Sequence, residues 1–262
     1  MIVLTKAEQT AVKWLEKRGV RVAEPATLLT YRLSVRAGRR SPDAFGAVFA
    51  LNAVLFAGLL GFGLLRLLPG VDGDDLPDGG YIFFVVAATL LTTWLHVRAG
   101  DRRAAAWLGD RRPHRPPPSG RDVLNGWYLT SLLVTFGGGA ALAVTMAAGG
   151  SLWAVFWLGL LALGAVVDAV ILTGILRRPV LAEDEDEGSL AVDVVTRLHD
   201  VHLLMPSAFA VPVLADLVFG DLPGAPWLIG YVVLAVATHV AGWFAQARRL
   251  PALPADGHYG EG

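Results

Sequence analysis

The chain has 262 residues with a formal net charge of −1, and 54% of its residues are hydrophobic whereas 17% are charged. The apolar residues stand in blocks, which is the composition of an all-α, polytopic integral membrane protein. The absence of cysteine excludes disulfide bonds, thiolate metal sites and cysteine nucleophiles. Neither a cofactor nor a nucleic-acid partner is expected, and the lipid bilayer is the expected surrounding.

The basic residues are mostly arginine, since Lys6, Lys13 and Lys17 are the only lysines among the 22 basic residues. Together with the abundance of alanine and glycine, this bias favours a GC-rich bacterial genome as the source. The expected location is therefore the bacterial inner membrane, as a multi-pass protein.

Residues 1–43 precede the first apolar block and are predicted to form a cytoplasmic helical segment rather than a cleaved signal peptide. The stretch LTKAEQTAVKWLEKRG begins with a capping box, Thr5 and Glu8, and places Trp14 and Leu15 on one face of a helix. A basic amphipathic helix of this kind is typical of a segment that lies along an anionic membrane surface, with docking onto a partner protein as the alternative.

Six apolar stretches are long enough to cross a bilayer as helices, because a hydrocarbon core about 30 Å thick needs roughly 20 residues at 1.5 Å each. They are residues 44–68, 81–97, 127–148, 152–176, 203–219 and 227–247. The second and the fifth have 17 residues each and stand at the low end of the spanning range. A five-helix arrangement with a re-entrant fifth segment is the alternative.

Lysine and arginine are concentrated in alternate loops, and this asymmetry predicts the orientation of the bundle. Residues 1–43 carry nine of them, 98–126 seven, 177–202 three and 248–262 two, so 21 of the 22 basic residues lie on one side. The opposite loops are short, and residues 69–80 contain four aspartates and no basic residue. We therefore expect three in-out-in hairpins with both termini cytoplasmic.

Two prolines interrupt the fifth apolar stretch, in the sequence PSAFAVPVLAD from Pro206 to Asp216. Each proline removes a helical hydrogen bond, so Pro206 and Pro212 predict an irregular fifth helix. The stretch shares its Pro-x-Ala-Phe start with PDAFGAVFALN, which begins at Pro42. Further matches downstream leave two interpretations open, chance similarity and a parallel internal repeat of the first and third hairpins.

Polar side chains within the apolar stretches are the first candidates for function, because an ionisable group at the centre of a bilayer costs about 2.5–3.5 kcal/mol. Asp168 lies nine residues before Arg177 on the fourth helix, and His239 lies nine residues before Arg248 on the sixth. Equal distances from equivalent arginines predict a similar depth for Asp168 and His239.

Asn52 and Thr89 reach a similar layer on the first and second helices. The hypothesis is an Asp168–His239 pair with Asn52 and Thr89 nearby, which would form an inner-half site for a proton, a cation or a polar substrate group. The alternative is that these side chains only form interhelical hydrogen bonds worth about 0.6 kcal/mol each, or bond their own helix. Asp216 is a further candidate, nearer the outer boundary of the membrane.

Three histidines stand near the predicted cytoplasmic boundary. His199 and His202 are three residues apart on one helix, and His96 is at the same level on the second apolar helix. Two imidazoles at this spacing can share a metal ion, although zinc needs three or four ligands. A metal site formed by His96, His199 and His202 is one hypothesis, and interfacial histidines without a ligand are the alternative.

The sequence contains no phosphate-binding loop, no His-Glu-x-x-His zinc motif, no Gly-x-Ser-x-Gly motif and no aspartate-rich prenyl diphosphate motif. Its layout resembles that of the six-helix permeases of ABC-2 exporters in helix number, cytoplasmic termini, amphipathic leading helix and long basic loop after the second helix, without a shared motif. The resemblance implies a transport component that has no ATP site of its own.

Three classes of function follow. The first is a permease-like transport component with a buried polar site, whose partner would be a separate ATPase subunit or a second copy of the chain. The second is a membrane-embedded enzyme for a lipid or isoprenoid substrate, which would use Asp168 or Asp216 as an acid. The third is a scaffold or regulatory membrane protein without chemistry of its own.

Overall fold

A computed structural model describes residues 4–38, 40–72, 75–111, 113, 115–183, 186–219, 222 and 224–261. The chain is 74% helix. Its α-helices are α1 (Lys6–Glu16), α2 (Thr27–Arg36), α3 (Phe45–Leu64), α4 (Gly79–Leu108), α5 (Gly120–Val123), α6 (Gly126–Leu132), α7 (Gly139–Ala148), α8 (Leu152–Leu176), α9 (Glu187–Leu203), α10 (Val213–Phe219) and α11 (Ala225–Ala247). A π-helical segment, Leu133–Gly138, joins α6 to α7, and the described residues also include the short 3-10 helices Pro42–Ala44, Leu65–Leu67, Gly109–Arg111 and Pro206–Phe209.

Six helical segments of the described chain are long and apolar enough to cross a membrane. They are Pro42–Leu67, Gly79–Arg111, Gly126–Ala148, Leu152–Leu176, Glu187–Val218 and Ala225–Ala247. Large apolar side chains cover the outside of this bundle, and several are at least 60% exposed: Phe45, Phe49, Leu64, Leu133, Val218 and Trp227. An apolar outer surface of this extent is stable in lipid rather than in water, which confirms the predicted multi-pass membrane protein.

The second apolar helix, α4, extends beyond the predicted residues 81–97, because it continues through the charged sequence RAGDRRAAAWL to Leu108. An α-helix needs apolar residues only where it crosses lipid, so the apolar stretch marks part of its length. Gly100 lets α2 lie directly against this extension, since a Cβ atom there would stand 2.9 Å from the carbonyl oxygen of Tyr31. The extension of α4 thus supports α2 outside the apolar region.

The amino-terminal helix α1 begins with the predicted capping box, in which the Thr5 hydroxyl accepts from the Glu8 amide and the Glu8 carboxylate accepts from the Thr5 amide. Its apolar face is packed within the chain, because Leu15 is fully buried and Trp14 is 9% exposed. The cluster around them contains residues of α2, α9 and the carboxy-terminal tail. This face is therefore already covered by protein, in contrast to the membrane-surface position that the sequence predicts.

The two ends of the described chain meet in a short strand pair. Strand β1, Glu24–Pro25, lies antiparallel to strand β2, Gly260–Glu261, and the Ala26 amide donates to the Tyr259 carbonyl at 2.8 Å. Both ends therefore lie at one end of the bundle, which we call the terminal face; it carries α1, α2 and the tail.

The fifth apolar segment is broken. Helix α9 ends at Leu203, the 3-10 helix Pro206–Phe209 follows, and α10 begins only at Val213. The irregularity predicted from the two prolines is confirmed, whereas the helix bounds differ from the predicted 203–219 because α9 contributes the first part of the segment. The shared Pro-x-Ala-Phe motif adopts a 3-10 helix at both of its occurrences, so its two copies agree in local conformation.

Candidate functional site

A buried cluster of charges lies at the terminal face, where α2, α4, α9 and the carboxyl end of α8 meet. It contains four arginines and three aspartates, which we call the arginine–aspartate cluster. Its members are Arg32, Arg36, Arg178, Arg197, Asp101, Asp193 and Asp200. Each of the seven side chains is at most 9% exposed.

Arg36 lies at the centre of this cluster and pairs with two carboxylates at once. Its guanidinium donates to both oxygens of Asp101 at 3.0 and 2.9 Å, and to both oxygens of Asp200 at 2.8 and 2.6 Å. Burial alone would lower the pKa of Arg36, but the two carboxylates outweigh it and raise the pKa above its ordinary value. The charge of Arg36 is therefore permanent.

The other arginines connect the cluster to the backbone. Arg32 donates to Asp193 at 2.7 Å and to the Leu181 carbonyl at 2.8 Å. Arg197 donates to the Ile175 carbonyl at 2.7 Å, which adds a side-chain hydrogen bond at the last turn of α8. These bonds hold the amino-terminal segment and α9 against the bundle.

Sequence reasoning missed this cluster, because it treated the arginines as markers of orientation. A signal was present: Arg32 and Arg36 are one turn apart on α2, and Asp193, Arg197 and Asp200 share one face of α9. Both faces are polar in sequence, so only the buried position of the helices shows that the charges meet.

Asp168 lies in the core of the bundle on α8, where it is 2% exposed. Neither of its carboxylate oxygens has a hydrogen-bond partner among the described residues. Helix α6 and the π-helical segment that follows it present three more buried, unpartnered hydroxyl groups on one face, those of Tyr128, Ser131 and Thr135. Tyr128 is near enough to Asp168 for the two groups to interact electrostatically.

The break in the fifth segment lies close to Asp168. Phe209, in the 3-10 helix, packs against Gly164, where a Cβ atom would meet its ring at 2.9 Å. Gly164 precedes Asp168 by one turn of α8. The buried carboxyl group and the irregular backbone are therefore neighbours in the bundle core.

His239 is buried on α11 but forms no ion pair with Asp168, whose oxygens are both unpartnered. His202 is near enough to His239 for the two imidazoles to interact electrostatically. His202 approaches the Asn125 amide nitrogen at 3.4 Å, and that nitrogen also donates to Gln246 at 3.0 Å. Within the described residues, the two members of the predicted pair therefore make no hydrogen bond or ion pair with each other.

Asn52 and Thr89 line a different space, an outward-facing groove of about 680 Å³ between α3 and α4. The Asn52 side chain donates to the Val48 carbonyl at 2.8 Å, and the Thr89 hydroxyl donates to the Val85 carbonyl at 2.8 Å. Both side chains are exposed and bond their own helices, as the alternative interpretation expects. They do not approach the buried Asp168.

Asp216 is buried at the opposite end of the bundle, where its carboxylate is fully engaged. It accepts hydrogen bonds from the Asp78 amide at 2.6 Å, the Gly79 amide at 3.3 Å and the Trp153 indole at 3.2 Å. A carboxylate at the start of α4 satisfies free amides and interacts favourably with the helix dipole. Asp216 therefore joins three helices.

The three histidines of the metal hypothesis are not brought together. The His96 ring accepts from the Ser41 amide at 3.1 Å, on the α3–α4 side of the bundle, and His202 interacts with the Leu198 carbonyl at 3.0 Å. Nδ1 of His199 is buried without a partner. Within the described ranges, no three His, Cys, Asp or Glu side chains are grouped closely enough to hold a metal ion.

A second groove, of about 740 Å³, lies between α4 and the carboxyl half of α8 at the terminal face. Its walls are apolar, and its end at the terminal face is lined by Asp101, Arg178 and Asp200 of the arginine–aspartate cluster and by three further arginines. Sequence reasoning did not find this groove, because its two walls lie more than sixty residues apart in the chain.

Comparisons with protein-family models, with curated proteins and with solved structures find no match for this chain. The class of protein is therefore given by the fold: six apolar helices that enclose a buried carboxyl group define a multi-pass membrane protein.

Proposed function

We propose that the protein is a permease-like component of a bacterial membrane transport system, and that Asp168 is its proton-binding group. The observation that carries the proposal is the carboxyl group of Asp168, which is 2% exposed and has no hydrogen-bond partner in the described chain. Ionisable groups inside membranes are expensive and commonly mark proton or substrate pathways.

The chemistry of the site favours a proton over a metal ion. A lone buried carboxylate is costly, and taking up a proton removes its charge without further ligands. The Tyr128 hydroxyl is buried and unpartnered among the described residues and interacts electrostatically with Asp168, so it is the group through which a proton would pass toward the terminal face. At 1.5 Å per residue, Asp168 lies roughly 13 Å from Arg177 at that face.

The broken fifth segment supports a transport role. In many transporters, substrate and ion sites lie beside discontinuous helices, whose free backbone groups line a cavity inside the protein. Here the break at Leu204–Pro212 packs one turn from Asp168 through Phe209 and Gly164. This segment is the part of the bundle best suited to change conformation when Asp168 gains or loses its proton.

The test of Asp168 is proton movement into vesicles that contain the purified chain. A membrane potential is imposed, and internal acidification is followed with a pH-sensitive dye for wild type, Asp168→Asn and the exposed-loop control Asp72→Asn. We expect Asp168→Asn to be at least tenfold slower than the other two, because the amide cannot carry the proton. Equal rates for all three proteins, including no flux in any, would contradict the proton role.

The terminal face is proposed to be cytoplasmic, with both termini inside the bacterial plasma membrane. The concentration of basic residues in the loops on this side supports the cytoplasmic orientation, and the pairing of β1 with β2 supports the location of both ends on one side. A separate ATPase subunit would dock on this face, and a second copy of the chain is the other proposed partner. Purification in mild detergent, followed by identification of co-purifying proteins and measurement of the mass of the complex, distinguishes the two.

A membrane-embedded enzyme that acts on a lipid or isoprenoid is the second candidate, favoured by the amphipathic groove between α4 and α8. Its acid would have to lie at the groove, yet Asp168 and Asp216 do not line it. Asp101 and Asp200 do line it, but both are ion-paired with arginines. This makes the transport proposal the better supported one.

A further inference from the structure

The groove between α4 and α8 has an apolar part that opens toward the surrounding lipid. Its outer rim carries Val166 and Val170, which are 58% and 49% exposed. The Trp94 ring packs over Gly174 at its floor, where a Cβ atom would stand 2.7 Å from the ring. A hydrocarbon chain can therefore enter the groove from the side without leaving an apolar environment.

The end of the groove at the terminal face is basic. Arg98, Arg102 and Arg177 line it, their side chains are exposed, and none of them forms an ion pair within the described ranges. Arg98 is stacked over the Trp94 ring at 4.9 Å from its centroid, which holds its guanidinium beside the groove. Three cations thus converge on one space, and no carboxylate of the described residues is ion-paired with them.

The carboxylates that line the same space do not neutralise these three cations. Asp101 and Asp200 are both paired with Arg36 and Arg178, and the arginine–aspartate cluster as a whole has one arginine more than it has aspartates. In addition, the Nε–H group of Arg178, a residue 9% exposed, is buried without a partner. The electrostatic field at this end of the groove is therefore positive.

The two parts of the groove have the dimensions of an anionic amphiphile. Along α8, the distance from Val166 to Arg177 is about 16 Å at 1.5 Å per residue, comparable to much of one acyl chain. The apolar part lies within the span, and the arginines stand where α8 ends. Basic pockets between membrane helices on the cytoplasmic side commonly bind lipid head groups.

We propose that this groove binds one anionic phospholipid, with its phosphate between Arg98, Arg102 and Arg177 and an acyl chain along α8. Guanidinium groups form charge-assisted, often bidentate hydrogen bonds with phosphate oxygens. The site is independent of the proton role of Asp168, which does not line the groove. It adds a lipid ligand to the function proposed above.

The experiment measures binding of phosphatidylglycerol and of phosphatidylcholine with identical acyl chains to the detergent-purified protein by native mass spectrometry. The test variant replaces Arg98, Arg102 and Arg177 with glutamine. The matched control replaces Arg121, Arg248 and Arg249, which are also exposed and also belong to basic loops. We expect phosphatidylglycerol affinity to fall about a hundredfold in the test variant only, because each of the three arginines contributes roughly 1 kcal/mol to the binding free energy.

Two further measurements distinguish binding of a lipid from binding of free phosphate, and binding at a specific site from nonspecific electrostatic attraction. Ala169→Phe fills the apolar part of the groove and should abolish phosphatidylglycerol binding, whereas inorganic phosphate at millimolar concentration should not displace the lipid. Equal losses in the test and control variants, equal binding of the two lipids, unchanged binding in Ala169→Phe or displacement by phosphate would each overturn the proposal. Thermal unfolding confirms that every variant is folded before its binding is interpreted.

Discussion

Arg36 donates to both oxygens of two different aspartates while its side chain is fully buried. Arg66, on the opposite side of the bundle, pairs with Asp78 through side chains that are 39% and 50% exposed. The same residue type thus has a different energetic role at each depth. Exposed pairs are screened by solvent and contribute little, whereas breaking a buried pair leaves an uncompensated charge.

The first prediction concerns Arg36. Replacement by alanine leaves Asp101 and Asp200 without their shared partner, so we expect the free energy of unfolding to fall by about 3–5 kcal/mol. The control is Arg111→Ala, since Arg111 pairs with Glu183 through side chains that are 48% and 31% exposed and its loss should cost less than about 1 kcal/mol. Unfolding in detergent is the measurement, and similar losses in both variants would refute the prediction.

The second prediction concerns the stability cost of Asp168. Because its carboxyl group makes no hydrogen bond within the described chain, Asp168→Leu should raise the free energy of unfolding by about 1–3 kcal/mol. The matched control is Asp216→Leu on the fifth segment, where three hydrogen bonds are lost and the change should have the opposite sign. A destabilised Asp168→Leu would indicate that the carboxyl group has a structural role.

The sequence identified Asp168 as a buried acid, because an aspartate in an apolar helix is costly in lipid and therefore faces the interior of the bundle. It did not identify the surroundings of Asp168, since equal depth on two helices does not determine which faces meet. His239 has the expected burial but lies near His202. Depth follows from counting residues along a helix, whereas the pairing of faces depends on tertiary packing.

Among the elements, the fifth segment and the start of α4 are packed most closely. A Cβ atom on Gly79 would stand 2.1 Å from the Pro212 carbonyl oxygen and 2.8 Å from an Asp216 oxygen. The carbonyl of the helix break and the carboxylate that caps α4 thus occupy the same small space. The absence of a side chain at residue 79 allows the broken segment to reach α4.

The third prediction follows from this close approach. Gly79→Ala forces the backbone around Pro212 to move, so we expect a loss of about 1–3 kcal/mol in unfolding free energy. The control is Gly61→Ala on α3, where a Cβ atom would meet nothing within 4 Å and where alanine favours a helix by up to about 1 kcal/mol. Thermal unfolding of the two variants provides the comparison. A neutral Gly79→Ala would contradict this packing.

Element boundaries were predictable where composition changes and unpredictable where it does not. The apolar stretch 152–176 coincides with α8, because Ser151 caps one end and arginines follow the other. In contrast, α4 continues eleven residues beyond the predicted Val97, since its charged extension is stabilised by packing against α2. Hydropathy reports contact with lipid, and it carries no information about helices that are covered by other helices.

For the molecule as a whole, the tail closes the terminal face. The Asp186 carboxylate caps α9 by accepting from the Ser189 amide at 2.6 Å, and it also accepts from the His258 amide of the tail at 3.1 Å. Partial burial opposes ionisation, but these backbone hydrogen bonds outweigh it and hold the pKa of Asp186 below its ordinary value. Docking of the tail onto α9 therefore depends on Asp186 being ionised.

The fourth prediction is that the tail detaches in acid. A lowered pKa in the folded state means that the stabilisation is complete above the ordinary pKa of about 3.9 and is lost as the pH falls below it. Hydrogen exchange of residues 253–261, corrected for intrinsic rates, should therefore accelerate as the pH falls below about 4. Asp186→Asn should show faster exchange already at pH 7, and an unchanged tail in that variant would refute the link.

The fifth prediction concerns the orientation of the entire bundle. Reporter domains fused at the carboxy-terminal tail and within residues 98–126 should report the cytoplasm, and a reporter inserted in residues 69–80 should report the outside, because basic residues are retained inside. A cytoplasmic signal from the reporter in residues 69–80 would show that the bundle has the opposite orientation. It would also place the basic end of the α4–α8 groove outside the cell.

The arginine–aspartate cluster also dictates an order of assembly. Arg32 and Asp193 are separated by 161 residues, and Arg36 and Asp200 by 164. Four apolar helices are synthesised between the members of these pairs. Asp101 of α4 follows Arg32 and Arg36 early, but Asp193 and Asp200 are synthesised only with α9, so the cluster lacks two of its three aspartates until α9 has emerged.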